Sequence, residues 1–179
     1  MIDAVDQLCT QCGLCCDGTL FADVELRAGD DAKRLKKLGL SIYKKEDEAE
    51  HEDEKDFKKV KKAFVQPCAC FDGRLCKIYG ERPGHCRLFE CGLLKRVNAG
   101  EMKPGAALKK ISSAKTILKK LQDLLGAFEG DEEGMALSKR YERAMGSPMD
   151  LAEGTDRHGE LMRVYGEWME VAQGEFLRK

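Results

Sequence analysis

No stretch of this 179-residue chain approaches the roughly 20 apolar residues that span a bilayer, so no membrane helix is expected. The N-terminus, MIDAVDQL, is acidic and has neither a basic region nor an apolar run, so it does not read as a secretory signal. Neither sign of charge dominates: 31 Lys and Arg face 32 Asp and Glu, a formal net charge of −1 that gives no global attraction to nucleic acid or to a membrane surface. The chain has no P-loop, no dinucleotide fingerprint and no His-Glu-x-x-His, which removes the commonest nucleotide-binding and zinc-protease chemistries. It has no internal repeat and, beyond one charge run, no low-complexity tract. A cytoplasmic location is the expectation that remains.

What the chain has in quantity is cysteine. Nine are present, four of them within eight residues: Cys9, Cys12, Cys15 and Cys16, a C-x2-C-x2-C-C run. Some fifty residues later come Cys68, Cys70, Cys76, Cys86 and Cys91. In a reducing compartment such a pattern reads as metal-binding or catalytic rather than as a disulfide framework, and an odd number cannot pair completely. Thiolates converging on a metal explain the spacing, and core packing does not. Spacing of this kind suits zinc and also suits an iron–sulfur cluster, so it does not choose between them. Eight candidate thiolates would suit two four-sulfur zinc sites, or one cluster with cysteines to spare. Adjacent Cys15 and Cys16 have diverging side chains. Either they serve two different metals, or one ligates and the other supports it.

A zinc ion with four thiolates carries a formal charge of −2, which is costly to bury alone. Arg82 and Arg87, within the second cysteine set, are candidate donors to the sulfurs, with Arg74 and Lys77 nearby. His85 is a lesser ligand candidate, and a Cys86–His85 nucleophile pair is disfavoured because adjacent residues rarely face each other. His158 lies far off and reads as structural or exposed. No catalytic residue is assigned, and whether the chain is an enzyme stays open.

The organisation falls into two regions. Residues 1–99 form a cysteine-cluster region, with Gly13 and Gly18 freeing the backbone of the first set and a charged insertion at 44–62 that includes His51. Residues 19–26 suggest a short strand, and Asp30 or Asp31 is placed to cap a helix through Leu38 that Gly39 would stop. The insertion suggests an exposed, ion-paired helix or a solvated loop. Residues 68–76 suggest a small loop or hairpin, and Pro83 suits the first turn of a helix carrying Cys86 and Cys91. Residues 100–179, without cysteine, form an amphipathic helical region of the same globular unit. Helices are expected over 104–128, over 132–145 with Asp131 as N-cap, and over 156–177. Their apolar stripes must pack on each other, on the metal region, or on another subunit, so a protein partner or homodimer through these helices is possible. Lys103, Lys109, Lys110, Lys115, Lys119 and Lys120 line an acid-free stretch. An RNA-associated zinc protein is the third reading of that patch, a balanced face is preferred, and nucleic acid is not the expected partner. The fold class is thus mainly α, with an irregular cysteine-rich region and short β elements packed against a C-terminal helical hairpin or small bundle.

The ordered pair of motifs, Cys9-x2-Cys12-x2-Cys15-Cys16 and then Cys68 with Cys76-Lys-Ile78-Tyr79-x2-Arg82-Pro83-x2-Cys86-Arg87-x-Phe89, resembles the YkgJ-type cysteine-cluster family. The resemblance spans residues 9–91 and implies zinc or iron chelation. It implies ligand roles for Cys9, Cys12, Cys15, Cys16, Cys68, Cys76 and Cys86. Cys91 matches the last family cysteine less closely, and Cys70 stands where the family has an apolar residue, so it counts as an extra thiol. Relatives with a similar signature are flagellin lysine methylases described as carrying an iron–sulfur cluster. This short chain has no glycine-rich loop for S-adenosylmethionine, so methyl transfer is not carried over. The leading expectation is a zinc-binding structural, interaction or metal-handling protein, with an iron–sulfur redox protein or enzyme as the alternative.

Overall fold

The computed structural model describes residues 4–45, 61–128, 130, 132, 134–148 and 156–178, and of residues 4–7 the backbone alone. The chain begins with α1, Ala4–Cys12, which ends inside the first cysteine run. Strand β1, Asp23–Glu25, falls within the stretch expected to be extended. Helix α2, Ala32–Lys37, follows from Asp31. That side chain accepts from the Lys33 and Arg34 amides at 2.9 and 3.0 Å, and Arg34, Lys36 and Lys37 occupy the last turn, where cations suit the helix dipole.

Strands β2, Ile42–Lys45, and β3, Lys61–Val65, complete a three-stranded antiparallel sheet in the order β1-β3-β2. The two ends of the charge run are therefore strand rather than helix; its middle, with His51, lies outside the described residues. The reason is cross-strand pairing. Lys45 Nζ lies 2.9 Å from Asp23 Oδ1, and Tyr43 donates to Asp23 Oδ2 at 2.8 Å, so the ends of the run neutralise the acids of β1. Phe64 of β3 faces Val24 and Ile42 in register and anchors a small core with Leu35, Leu40 and Cys70.

Residues 68–76 form a tight loop closed by a Phe71–Cys76 bridge. A short 3₁₀ turn, Tyr79–Glu81, leads to α3, Gly84–Leu88, with Pro83 at its N-cap. Cys91 is not on this helix. It caps the next one, α4, Gly92–Asn98, because the chain turns extended at Phe89.

Helix α5, Pro104–Leu125, starts on Pro104, whose missing N–H costs nothing in a first turn. Its buried residues Ala107, Ile111, Ala114, Leu118, Leu121 and Leu125 alternate intervals of four and three, the narrow stripe of a two-helix seam. Helix α7, Arg157–Val171, supplies the facing stripe with Leu161, Val164 and Trp168, and continues into one π-helical turn, Ala172–Phe176. Between them, α6, Leu137–Met145, begins later than expected, with Ala136 rather than Asp131 at its N-cap; Asp131 lies outside the described residues. The Leu137 amide instead donates to the Gly18 carbonyl at 2.9 Å, so the helix starts where it docks on the first cysteine loop. Tyr141 of α6 stacks on Tyr165 of α7 with centroids 3.7 Å apart. His158 is buried against Phe128 and lies 3.3 Å from Ser147 Oγ through Nε2.

The larger core joins Leu8, Leu14, Leu93 and Leu94 to the α5, α6 and α7 stripes. Four of the lysines in the acid-free stretch are engaged within the chain. Lys110 pairs with Glu175, Lys119 with Asp123 and Lys120 with Glu160, and Lys115 donates to the Gln11 carbonyl. Among the described residues no helix is long and apolar enough to cross a membrane. Trp168 is 1% exposed at the centre of the helical core. Trp168→Ala is expected to cost about 3–5 kcal/mol, checked by denaturant unfolding of the metal-loaded protein.

Candidate metal centre

Cys9 and Cys12 lie three residues apart on the last turn of α1, hence on one face. The chain leaves the helix at Gly13, whose carbonyl accepts from the Cys16 amide at 2.8 Å and the Asp17 amide at 3.1 Å. This turn carries Cys15 and Cys16. Gly18 follows with φ +82°, and a Cβ there would stand 3.1 Å from both the Ala136 Cα and the Pro67 ring, so only glycine fits the docking point.

The second set is fastened to the first through backbone. The Cys68 amide donates to the Cys16 carbonyl at 2.8 Å. Asp72 Oδ1 accepts from the Arg74 and Leu75 amides at 2.9 and 2.6 Å, turning the loop that presents Cys76. Asp30 Oδ1 accepts from the Gly84 amide at 2.8 Å and seats α3, which carries Cys86. Cys91 sits at the start of α4, and its carbonyl accepts from the Lys95 amide at 3.0 Å.

Cys9, Cys12, Cys15, Cys16, Cys68, Cys76, Cys86 and Cys91 all line one cavity of about 400 Å³. Cys70 does not. Its buried thiol donates to the Leu38 carbonyl at 3.2 Å within the small sheet core, where it neighbours Cys68. Arg74, Arg82, His85 and Arg87 also line the cavity. Arg82 donates through Nε to the Tyr79 carbonyl at 2.9 Å and lies 3.6 Å over the Tyr79 ring. The His85 ring stacks on Phe89 at 6.5 Å.

The electrostatics of the thiols divide them into two neighbourhoods. Burial pushes Cys12 up to about 12, with Cys91 and Cys9 adding to the rise and Lys115 opposing it. Burial, then Cys12, Cys91, Cys16 and Cys9, raise Cys15 well above its ordinary value. Burial, then Cys68, Cys86, Cys76 and Asp17, push Cys16 up to about 12. Burial, then Cys68 and Cys76, push Cys86 up to about 12, against the pull of Arg82. Packing divides them the same way: Cys12 and Cys91 lie against the helical core, Cys68 and Cys86 against the sheet core. As placed, no three His, Cys, Asp or Glu side chains among the described residues form a closed ligand set.

Two contributors escaped the sequence reading. Lys115 reaches from α5 to the end of α1, donating to the Gln11 carbonyl at 2.7 Å and drawing down both Cys12 and Asp17. Lys115 stood in the acid-free lysine stretch, with no local pattern that tied it to the cysteines. Gln66 lines the cavity at 5% exposure, with no hydrogen-bond partner for its Oε1 among the described residues, and no local pattern announced it.

Residues 8–110 match a family designated CxxCxxCC, described as a "putative zinc- or iron-chelating domain". The chain belongs to the CxxCxxCC family. No curated protein and no solved structure matches it. The CxxCxxCC span contains all nine cysteines and the first turns of α5, and metal binding is the property it brings. The donor set fits that property. Eight thiols converge on one cavity with cations at its wall, and soft sulfur ligands select zinc or iron over hard oxygen-seeking ions.

Without metal, the raised thiols keep their protons at a pH where an unfolded cysteine, near 9.0, has lost its own. The unfolded chain then binds fewer protons than the folded one, so stability falls as pH rises. The unfolding free energy of the metal-free protein is therefore expected to decline from pH 9 towards 12; a flat denaturation midpoint across that window would contradict it. Because Cys70 lies off the cavity, Cys70→Ala is expected to leave the metal content of the purified protein unchanged, checked by elemental analysis.

Proposed function

We propose that the protein holds two zinc ions, one through Cys9, Cys12, Cys15 and Cys91, the other through Cys16, Cys68, Cys76 and Cys86. The observation that carries this is the division of eight thiols lining one cavity into two electrostatic neighbourhoods, with Cys12 and Cys91 of one packed on the helical core and Cys68 and Cys86 of the other on the sheet core. Cys15 and Cys16 then stand at the seam, one in each centre. Arg82 and Arg87, with Arg74 and Lys115, offset the negative charge that four thiolates bring to each ion. Cys70 is a packing thiol.

The role that follows is structural and metal-handling. The sheet core is built on only a few buried side chains, and metal binding there is folding energy. A dense, odd-numbered cysteine set suits a reducing compartment, and on that ground we assign the protein to the cytoplasm. The 1–99 and 100–179 regions act as one unit, since the helical core draws on both.

Anaerobic purification followed by metal and sulfide analysis tests this reading. A colourless protein with two zinc ions per chain is expected, with Cys91→Ser and Cys76→Ser each reducing the content to one. A brown protein containing iron and acid-labile sulfide would instead establish an iron–sulfur centre. A cooperative melt of the N-terminal region surviving complete chelation would refute the structural role.

A further inference from the structure

Helix α4 is seven residues long, too short to persist on its own hydrogen bonds. Yet it delivers Cys91, the thiol that the Cys9–Cys12–Cys15 set must draw from a distant part of the chain. Three features hold it. Leu93 and Leu94 are buried in the helical core. Gly92 lies against the last turn of the fold, so close that a Cβ there would stand 2.6 Å from the Glu175 carbonyl oxygen. The Glu175 carboxylate receives both Arg96 of α4 and Lys110 of α5, with its side chain only 23% exposed. Arg96 also donates through Nε to the Gly92 carbonyl at 3.3 Å, so the clamp closes on the residue next to Cys91. Glu175 lies 65 residues beyond the end of the CxxCxxCC span. The Cys16–Cys68–Cys76–Cys86 set rests on the sheet core instead.

We infer that Glu175 is a positioning residue for one metal centre: by gripping Arg96 and Lys110 it fixes α4 so that Cys91 meets Cys9, Cys12 and Cys15. The last turn of the chain thereby governs the affinity of that centre and not of the other. Part of the cost of assembling the centre is met in advance by the clamp, and loss of the clamp returns it to the metal-binding step. The inference rests on the two-centre reading.

The experiment is an anaerobic cobalt(II) titration of the full metal-free chain, followed by thiolate-to-metal charge-transfer and ligand-field absorption. The parent is compared with Glu175→Gln, Glu175→Asp, Gly92→Ala, Cys91→Ser and Cys76→Ser. The parent is expected to take two equivalents in tetrathiolate sites. Glu175→Gln should weaken one step about ten-fold, the step that Cys91→Ser abolishes, and leave the other unchanged. Glu175→Asp, which keeps the charge, should recover much of that loss. Gly92→Ala, which wedges the same contact, should repeat the selective loss and stands in if Glu175→Gln does not fold. Equal weakening of both steps, no weakening of either, or weakening of the step that Cys76→Ser abolishes would overturn the role of Glu175. A parent that takes fewer than two equivalents would overturn the two-centre reading itself, a result visible before any Glu175 variant is measured.

Discussion

Successive side chains leave a backbone in different directions, and at Cys15–Cys16 the proposed arrangement depends on that fact. Two sulfurs one residue apart cannot approach a single ion together without strain, but they can face two. The tight turn on the Gly13 carbonyl holds the pair, Gly18 docks the turn against α6, and the Cys16 carbonyl receives the second cysteine segment through the Cys68 amide. Move this turn and both neighbourhoods lose a member. The larger elements are arranged around it: α1 and α4 on the side of the helical core, the sheet and α3 on the other.

Burial of the thiols sets the chemistry. Burial keeps the protons of Cys12, Cys16 and Cys86 on sulfur unless a cation replaces them. Metal binding exchanges protons for a divalent charge, and the surrounding arginines and Lys115 then face thiolates instead of thiols. Gln66 Oε1 belongs to the same picture, a buried polar atom with no partner among the described residues at the wall of the cysteine cavity.

Much of this was legible in the residues, for identifiable reasons. The α5 stripe could be read because intervals of three and four repeat over 22 residues, and α2 because Asp31 and Gly39 mark both ends. Strands β2 and β3 could not be, because their ends are lysines whose partners, Asp23 and Glu25, stand across the sheet and not four residues along a helix. Helix α4 was hidden because seven residues carry too little periodicity, and α1 because its support comes from α4 and α5. The start of α6 was misplaced because a tertiary partner, the Gly18 carbonyl, substitutes for the capping side chain that local rules look for. At the site, the eight cysteines lining the cavity could be named from spacing. Lys115 and Gln66 could not, since each reaches the site only through the fold.

The pairing of β2 with β3 closes an excursion at its base, where Lys45 faces Lys61. From that closure the register runs inward, through Lys44 against Lys62 to Ile42 against Phe64. Loop-closure entropy grows only logarithmically, about 0.6 kcal/mol for each doubling of length. This base is therefore a graft point: a change in the number of residues joining Lys45 to Lys61 adds little closure entropy to the cost of holding the sheet.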